Sequence, residues 1–176
     1  MDLGTGKATG VGFGVSNIQR VVGGSGGNNL ISGPSGSVLI GGSGGNVLTG
    51  GSGRDLLIAG PGPGSSLLLA GTGEAILIGG TTLWDNDVVA LNAIMAEWGH
   101  TYDPINPLHD YQIRVGHLEF GGGLNGPFHL NPATVHSNST KDTLVTNLGG
   151  GLDFVFFDAF DVLPHPRRPG EVYVPV

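Results

Sequence analysis

The sequence predicts a mainly β protein: a right-handed parallel β-solenoid of glycine-rich nonapeptides, with a small helical C-terminal segment and terminal strands. Three observations carry this reading. A nine-residue pattern recurs from Gly23 to Gly80, and self-similarity at a fixed short period is the mark of repeat architectures. Glycine supplies 35 of 176 residues, yet 39% of the chain is apolar and only 12% charged, whereas glycine-rich disorder goes with low hydrophobicity and high charge. The composition then changes abruptly at Thr81. The chain divides into a lead-in segment (1–22), the repeats (23–80), helices with terminal strands (81–162) and a proline-rich tail (163–176).

Within the repeats, successive blocks read GGSGGNNLI, SGPSGSVLI, GGSGGNVLT and GGSGRDLLI, then a longer AGPGPGSSLLL, then AGTGEAILI. Each is a glycine-rich turn followed by a short strand. Glycine suits the turn because it accepts positive φ, and Val, Leu and Ile suit the strand. One unit cannot bury a face alone, so neighbouring units share a core. The central strand position is Leu every time: Leu30, Leu39, Leu48, Leu57, Leu68 and Leu77. These six are predicted to point inward as a ladder through roughly three turns of solenoid. A flexible Gly/Ser linker carries no Leu in strict register.

Strand side chains alternate faces. The positions flanking each Leu therefore point outward, and most are apolar: Val38/Ile40, Val47/Thr49, Leu56/Ile58, Leu67/Leu69 and Ile76/Ile78, with Asn29/Ile31 the most polar pair. An outward face this apolar is expected to be covered, either by the C-terminal half or by other copies of the chain. From Ala8 to Gly53 the one charged residue is Arg20. Sheet edges are usually defended by charge, proline or a cap, so the N-terminal edge of the array is poorly defended.

After Thr81, residues 85–98 (DNDVVALNAIMAEW) predict an amphipathic helix. Asp85 is its N-cap, Val88, Leu91, Ile94, Met95 and Trp98 form its apolar stripe, and Gly99 stops it. A second helix begins with Asn106 as cap and Pro107 at its first position, with Leu108, Tyr111, Val115 and Leu118 as its stripe and Gly116 weakening it. Strands near 133–136, 143–146 and 153–157 are expected to add to the array. The tail LPHPRRPGEVYVPV reads as extended, wrapping a neighbour or loose.

The nonapeptide resembles the G-G-x-G-x-D-x-U-x repeat of the RTX, or haemolysin-type calcium-binding, proteins. SNIQRVVGGSG (16–26) looks like the strand that opens such arrays, and the order of elements after residue 81 looks like the terminal unit of bacterial RTX-like surface proteins. The resemblance implies a β-roll with two nonapeptides per turn, an extracellular or cell-surface location, and calcium held in the turns by the sixth-position Asp. Here the sixth positions read Asn28, Ser37, Asn46, Asp55, Ser66 and Ala75. Calcium takes six to eight oxygens, several of them anionic, and one carboxylate in six units falls short. SNSTKDTLV (137–145) and LGGGLDFVF (148–156) place Asp142 and Asp153 at the same position. Asp55, Asp142 and Asp153 are therefore the calcium candidates. The competing reading makes them turn caps or an acidic rim, with Asn and Ser bonding backbone or forming ladders between units.

Other chemistry lacks a pattern. The chain has no cysteine, which excludes disulfides and thiolate zinc, and its net charge of −7 argues against a nucleic-acid partner. No apolar run reaches the ~18 residues of a membrane span. MDLGTGKATG lacks the build of a secretory leader, so export rests on a signal that is non-cleaved, C-terminal or outside this sequence. His100, His109, His117, His129, His136 and His165 form no HExxH or i, i+4 pair, and no P-loop lysine or GxSxG elbow occurs. No catalytic residue and no other cofactor is therefore assigned. The sequence reads as a non-catalytic bacterial extracellular or cell-surface structural protein that self-associates into fibres by stacking solenoid ends and through its apolar outer strand face. The alternatives are a calcium-binding module that folds on secretion and a stalk fragment of a larger adhesin.

Overall fold

The computed structural model describes residues 1–9, 15–147 and 149–176. Leu148, which opens the last nonapeptide-like block, lies outside the described residues. In chain order the elements are β1 (Arg20–Val22), β2 (Asn29–Ile31), β3 (Val38–Ile40), β4 (Val47–Thr49), β5 (Asp55–Ile58), β6 (Leu67–Leu69), β7 (Ala75–Ile78), β8 (Gly80–Thr82), α1 (Val88–Gly99), α2 (Pro107–Phe120), β9 (Val135–Ser137), β10 (Thr143–Val145), β11 (Phe154–Phe157) and β12 (Val172–Pro175). The protein is mainly β, with parallel sheets and few helices.

Consecutive repeat strands alternate between two parallel sheets. One sheet has six strands in the order β1-β3-β5-β7-β11-β12, and the other four in the order β10-β6-β4-β2. Partners within a sheet are 18 residues apart for Val38 and Leu56, but 20 apart for Leu56 and Ile76. The longer AGPGPGSSLLL unit supplies the difference, and its turn absorbs the extra residues without shifting any Leu out of line. Gly62 lies in that turn so close to the neighbouring unit that a Cβ would sit 1.8 Å from the Ser43 carbonyl oxygen. Gly36, with φ +82°, lies against Arg54, whose carbonyl oxygen a Cβ would meet at 2.3 Å.

Leu30, Leu39, Leu48, Leu57, Leu68 and Leu77 form one buried core, extended by Leu144 and Val155. Thr143 pairs with Leu67 and Phe154 with Ile76, so the array resumes after the helical region, as Asp142 and Asp153 suggested. A second core lies between the six-stranded sheet and the helices. There Val38, Ile40, Leu56, Ile58, Ile76, Ile78, Phe154 and Phe156 pack against Leu91, Ile94, Trp98, Tyr111, Val115 and Leu118. The outward positions of β3, β5, β7 and β11, Leu56 among them, are therefore covered by the chain's own C-terminal half. Nothing among the described residues covers the four-stranded sheet in this way: Val47 is 37% exposed, and Ile31, Thr49, Leu67, Leu69 and Val145 are half-buried.

Several boundaries differ from the sequence reading. Asp87, not Asp85, caps α1, accepting from the Val89 and Ala90 amides. Asp85 instead accepts from the Thr82 amide and hydroxyl, which holds the turn ahead of the helix. Asn106 and Pro107 start α2 as expected, the Asn side chain accepting from the His109 amide. Val88 and Leu108 stand exposed at the helix starts and leave their stripes. The strand expected near 133–136 is β9, which pairs antiparallel with β8 in a separate sheet. The tail is not loose: β12 extends the six-stranded sheet beside β11.

Tyr111 makes that last addition. Its hydroxyl donates to the Asp153 carbonyl (2.8 Å) and accepts from the Val172 amide (3.0 Å), standing between β11 and β12. At the other end, the Leu3 amide donates to the Ile31 carbonyl and the Ile31 amide to the Met1 carbonyl, both at 2.9 Å, so the N-terminal residues line the edge of the four-stranded sheet. No helix among the described residues is long and apolar enough to cross a membrane.

Candidate functional site

The sixth position of each unit lies just ahead of its strand, so register stacks these residues in two columns. One runs Asn28, Asn46, Ser66, Asp142 along the four-stranded sheet, and the other Ser37, Asp55, Ala75, Asp153 along the six-stranded sheet. In both, the side chain accepts the backbone N–H of the residue before it in the column. Asn46 Oδ1 accepts from the Asn28 amide (3.2 Å), Ser66 Oγ from the Asn46 amide (3.3 Å) and Asp142 Oδ1 from the Ser66 amide (2.6 Å). Asp55 Oδ1 accepts from the Ser37 amide (2.7 Å), and Asp153 Oδ1 from the Ala75 amide (2.8 Å). Ala75 has no acceptor, and the Asp55 amide turns to the Glu74 carbonyl instead (3.0 Å).

All three calcium candidates are buried members of these columns. Their second oxygens are also engaged: Asp55 Oδ2 by the Gly51 amide (2.7 Å), Asp142 Oδ2 by the Asn138 side-chain amide (2.9 Å), and Asp153 Oδ2 by the Asn147 amide (2.7 Å). Ser32 adds a hydrogen bond to Asp55. Asp55 and Asp153 stand on either side of Ala75, about 10 Å apart at about 4.8 Å per strand, and Asp142 belongs to the other sheet. The structure thus does not bring the three together, and gives each the same work: accepting amides that a turn otherwise leaves unpaired. Burial raises the Asp55 carboxyl above its usual range and pushes Asp153 up to about 7, although the accepted hydrogen bonds oppose it.

Asp142 lies in the most acidic stretch of the chain, with Asp158 and Asp161 nearby. Asp161 accepts from the Asp142 amide (3.1 Å) and the Asp158 amide (2.9 Å). Burial, with the Asp158 and Asp142 charges adding to it, pushes Asp161 up to about 7. Among the described residues, no group of three or more His, Asp or Glu side chains is arranged to hold a metal ion.

A buried ionic clamp ties the helices to the repeats, and sequence reasoning missed it. Arg114 on α2 is fully buried, pairing with Glu74 (2.7 Å) and Asp110 (3.1 Å) and donating to the Trp98 carbonyl (3.1 Å). Its guanidinium carbon lies 4.6 Å from the Trp98 ring centre. Arg54 reaches the same two acids, Glu74 at 2.7 Å and Asp110 at 3.2 Å, and donates to the His100 carbonyl at 2.7 Å. For Asp110, burial works upward, but the Asp103 and Tyr102 amides and the two arginines outweigh it and hold the carboxyl below its usual range. One signal was available: Arg54 and Glu74 occupy the fifth position of units that are neighbours in one sheet.

Glu97 is a second buried acid outside the repeats. It accepts from the Tyr102 hydroxyl (2.8 Å) and the Leu124 amide (2.7 Å), and pairs with His117 Nδ1 (2.8 Å). Burial first, and Glu97 second, push the Tyr102 hydroxyl up to about 12. His109 pairs with Asp103 at 2.8 Å, while His100 meets the Tyr102 ring edge-on. These groups pin the 99–124 loops to the helices. No family model, no curated protein and no solved structure matches this chain.

Proposed function

We propose that this chain is a non-catalytic structural module of the bacterial cell surface or extracellular space, a β-solenoid that associates with other copies of itself through the outer face of its four-stranded sheet. The solenoid reading rests on strands that alternate between two parallel sheets, so that two nonapeptides make one circuit. Parallel crossovers of this kind are right-handed in about 98% of cases. The likeness to RTX arrays is the ground for the location.

One observation carries the association: equivalent positions are buried along β3, β5, β7 and β11 of one sheet and half-buried or exposed on the other. Val47 and Leu67 form one outward row with Asn29 and Thr143, and Ile31, Leu69 and Val145 form the next with Thr49. None of these residues is charged. Four strands at about 4.8 Å and three residues at about 3.3 Å give a strand face of roughly 200 Å². A stable interface buries about 800 Å² on each partner. Association through this face is therefore weak and concentration-dependent, and filaments need end contacts as well.

Calcium is not required on this reading, because backbone amides already occupy the sixth-position oxygens. A second reading, a calcium-responsive module, draws on the closeness of Asp142, Asp158 and Asp161. Sedimentation velocity across a concentration series in excess chelator, with negative-stain microscopy of the most concentrated sample, separates the two. Concentration-dependent association that Val47→Lys abolishes, with circular dichroism unchanged, supports the structural reading. A wild-type chain that stays monomeric in chelator and associates only with calcium supports the second.

A further inference from the structure

The two ends of the six-stranded sheet are built differently. At one end, the Val176 amide donates to the Phe157 carbonyl and Val172 turns its amide to Tyr111. Alternation along β12 then aims the backbone of Tyr173 and Pro175 outward. Proline has no N–H, so this edge is blunted in the manner of protected edge strands. At the other end, Gln19 accepts from the Val38 amide and Gly23 donates to the Ile40 carbonyl, both at 2.8 Å. Arg20 and Val22 therefore present their N–H and C=O groups away from β3. Among the described residues no strand flanks that side, and Val22 is 51% exposed.

Beside this open edge lies a groove of about 470 Å³ between β1 and α1, lined by Arg20, Val38, Arg54, Met95 and Ala96 among others. No lining residue is acidic, in a chain with 14 acids and 7 lysines and arginines. The Arg54 guanidinium is held by Glu74 and Asp110. Arg20 forms no ion pair among the described residues. A strand laid beside β1 would place alternate side chains in line with Arg20 and Val22, on the face beneath α1.

We propose that the β1 edge and this groove dock an extended acidic peptide segment of a partner protein. The segment adds to the sheet through the N–H and C=O groups of Arg20 and Val22. It sets a carboxylate against the Arg20 guanidinium and an apolar side chain toward Met95. Charge complementarity selects an acidic segment, and backbone pairing supplies the rest of the affinity. A second copy's β12 is a poor occupant, since Pro175 leaves that edge a donor short.

The test is fluorescence anisotropy of the full chain with a labelled peptide, acetyl-Ser-Gln-Glu-Val-Val-Gly-Ser-amide, beside versions with Gln or Lys in place of Glu and one N-methylated at alternate amides. The Glu peptide is expected to bind at least tenfold more tightly than the Lys version. N-methylation and Arg20→Glu are each expected to weaken it at least tenfold, and nuclear magnetic resonance should show the Arg20 and Val22 amides slowing in exchange when it binds. Arg20 is exposed, so its replacement leaves the fold intact, and Ala96→Asp, also at an exposed position, gives a second, groove-side variant expected to act the same way. Equal binding of the Glu and Lys peptides, or no loss with Arg20→Glu, overturns the proposal. Equal binding of the N-methylated peptide reduces the site to an anion contact and also overturns it. Val47→Lys should leave peptide binding unchanged and Arg20→Glu should leave self-association unchanged, so this site and the sheet face fail separately.

Discussion

Protonation of Asp153 should stabilise this protein, so its stability should fall as pH rises through the weakly acidic range. Asp153 is buried with its carboxyl pushed from 3.8 to about 7, chiefly by desolvation. The folded state then binds a proton that the unfolded state releases near pH 4. Stability from this proton is fully present below pH 4 and is lost as pH climbs toward and past 7. Between pH 5 and pH 8 the change for Asp153 alone is roughly 2–3 kcal/mol, at about 1.4 kcal/mol per pKa unit. Asp161, also raised to about 7, and Asp55, raised less far, act in the same sense. Asp110 opposes them only below the ordinary carboxylate range, because its carboxyl is held low. For a chain of this size, 1 kcal/mol moves the melting temperature by about 2–4 °C. The melting temperature in chelator should therefore be about 5–10 °C higher at pH 5 than at pH 8. Asp153→Asn should remove much of that slope, whatever it does to absolute stability through the donor it turns toward the Asn147 amide. A flat or rising profile in the wild type, or an undiminished slope in Asp153→Asn, would refute the burial argument. Calcium added at pH 8 should not restore the lost stability if amides rather than an ion satisfy these oxygens.

Three further outcomes follow from the packing. Arg114→Met leaves the buried Asp110 and the half-buried Glu74 with Arg54 as their remaining arginine partner, and should cost about 3 kcal/mol, read by urea denaturation. Tyr111→Phe strands the Val172 amide and the Asp153 carbonyl; it should cost about 1–3 kcal/mol and speed hydrogen exchange in β12 more than in β5. Leu56→Lys buries a charge beneath the helices and should prevent folding, whereas Val47→Lys, on the bare face, should change stability by no more than about 0.5 kcal/mol. Circular dichroism of the pair tests whether the two sheets are covered as unequally as their burial indicates.

The nonapeptide period fixed the inner core in advance, because a Leu recurring at one position can satisfy burial only if every unit presents it to the same interior. It also identified Asp142 and Asp153 as sixth-position residues, since their local patterns match the repeats across more than fifty intervening residues. The roles of the sixth positions were open between ion ligand and hydrogen-bond ladder. That choice depends on what faces each oxygen, and the facing amides belong to units 18 or more residues away. The same limit applies to the outward rows: Leu56 and Val47 are alike in sequence, and only the docking of α1 and α2 on one sheet buries the first and leaves the second bare. The clamp of Arg54, Glu74, Asp110 and Arg114 was hidden because its charges look like surface residues until tertiary structure encloses them. Short-range pattern determined which residues make turns, strands and the shared ladder of leucines. Only the tertiary structure decided which face is covered, which edge stays open and where each buried charge finds its partner, because those depend on contacts between segments that the repeat does not relate.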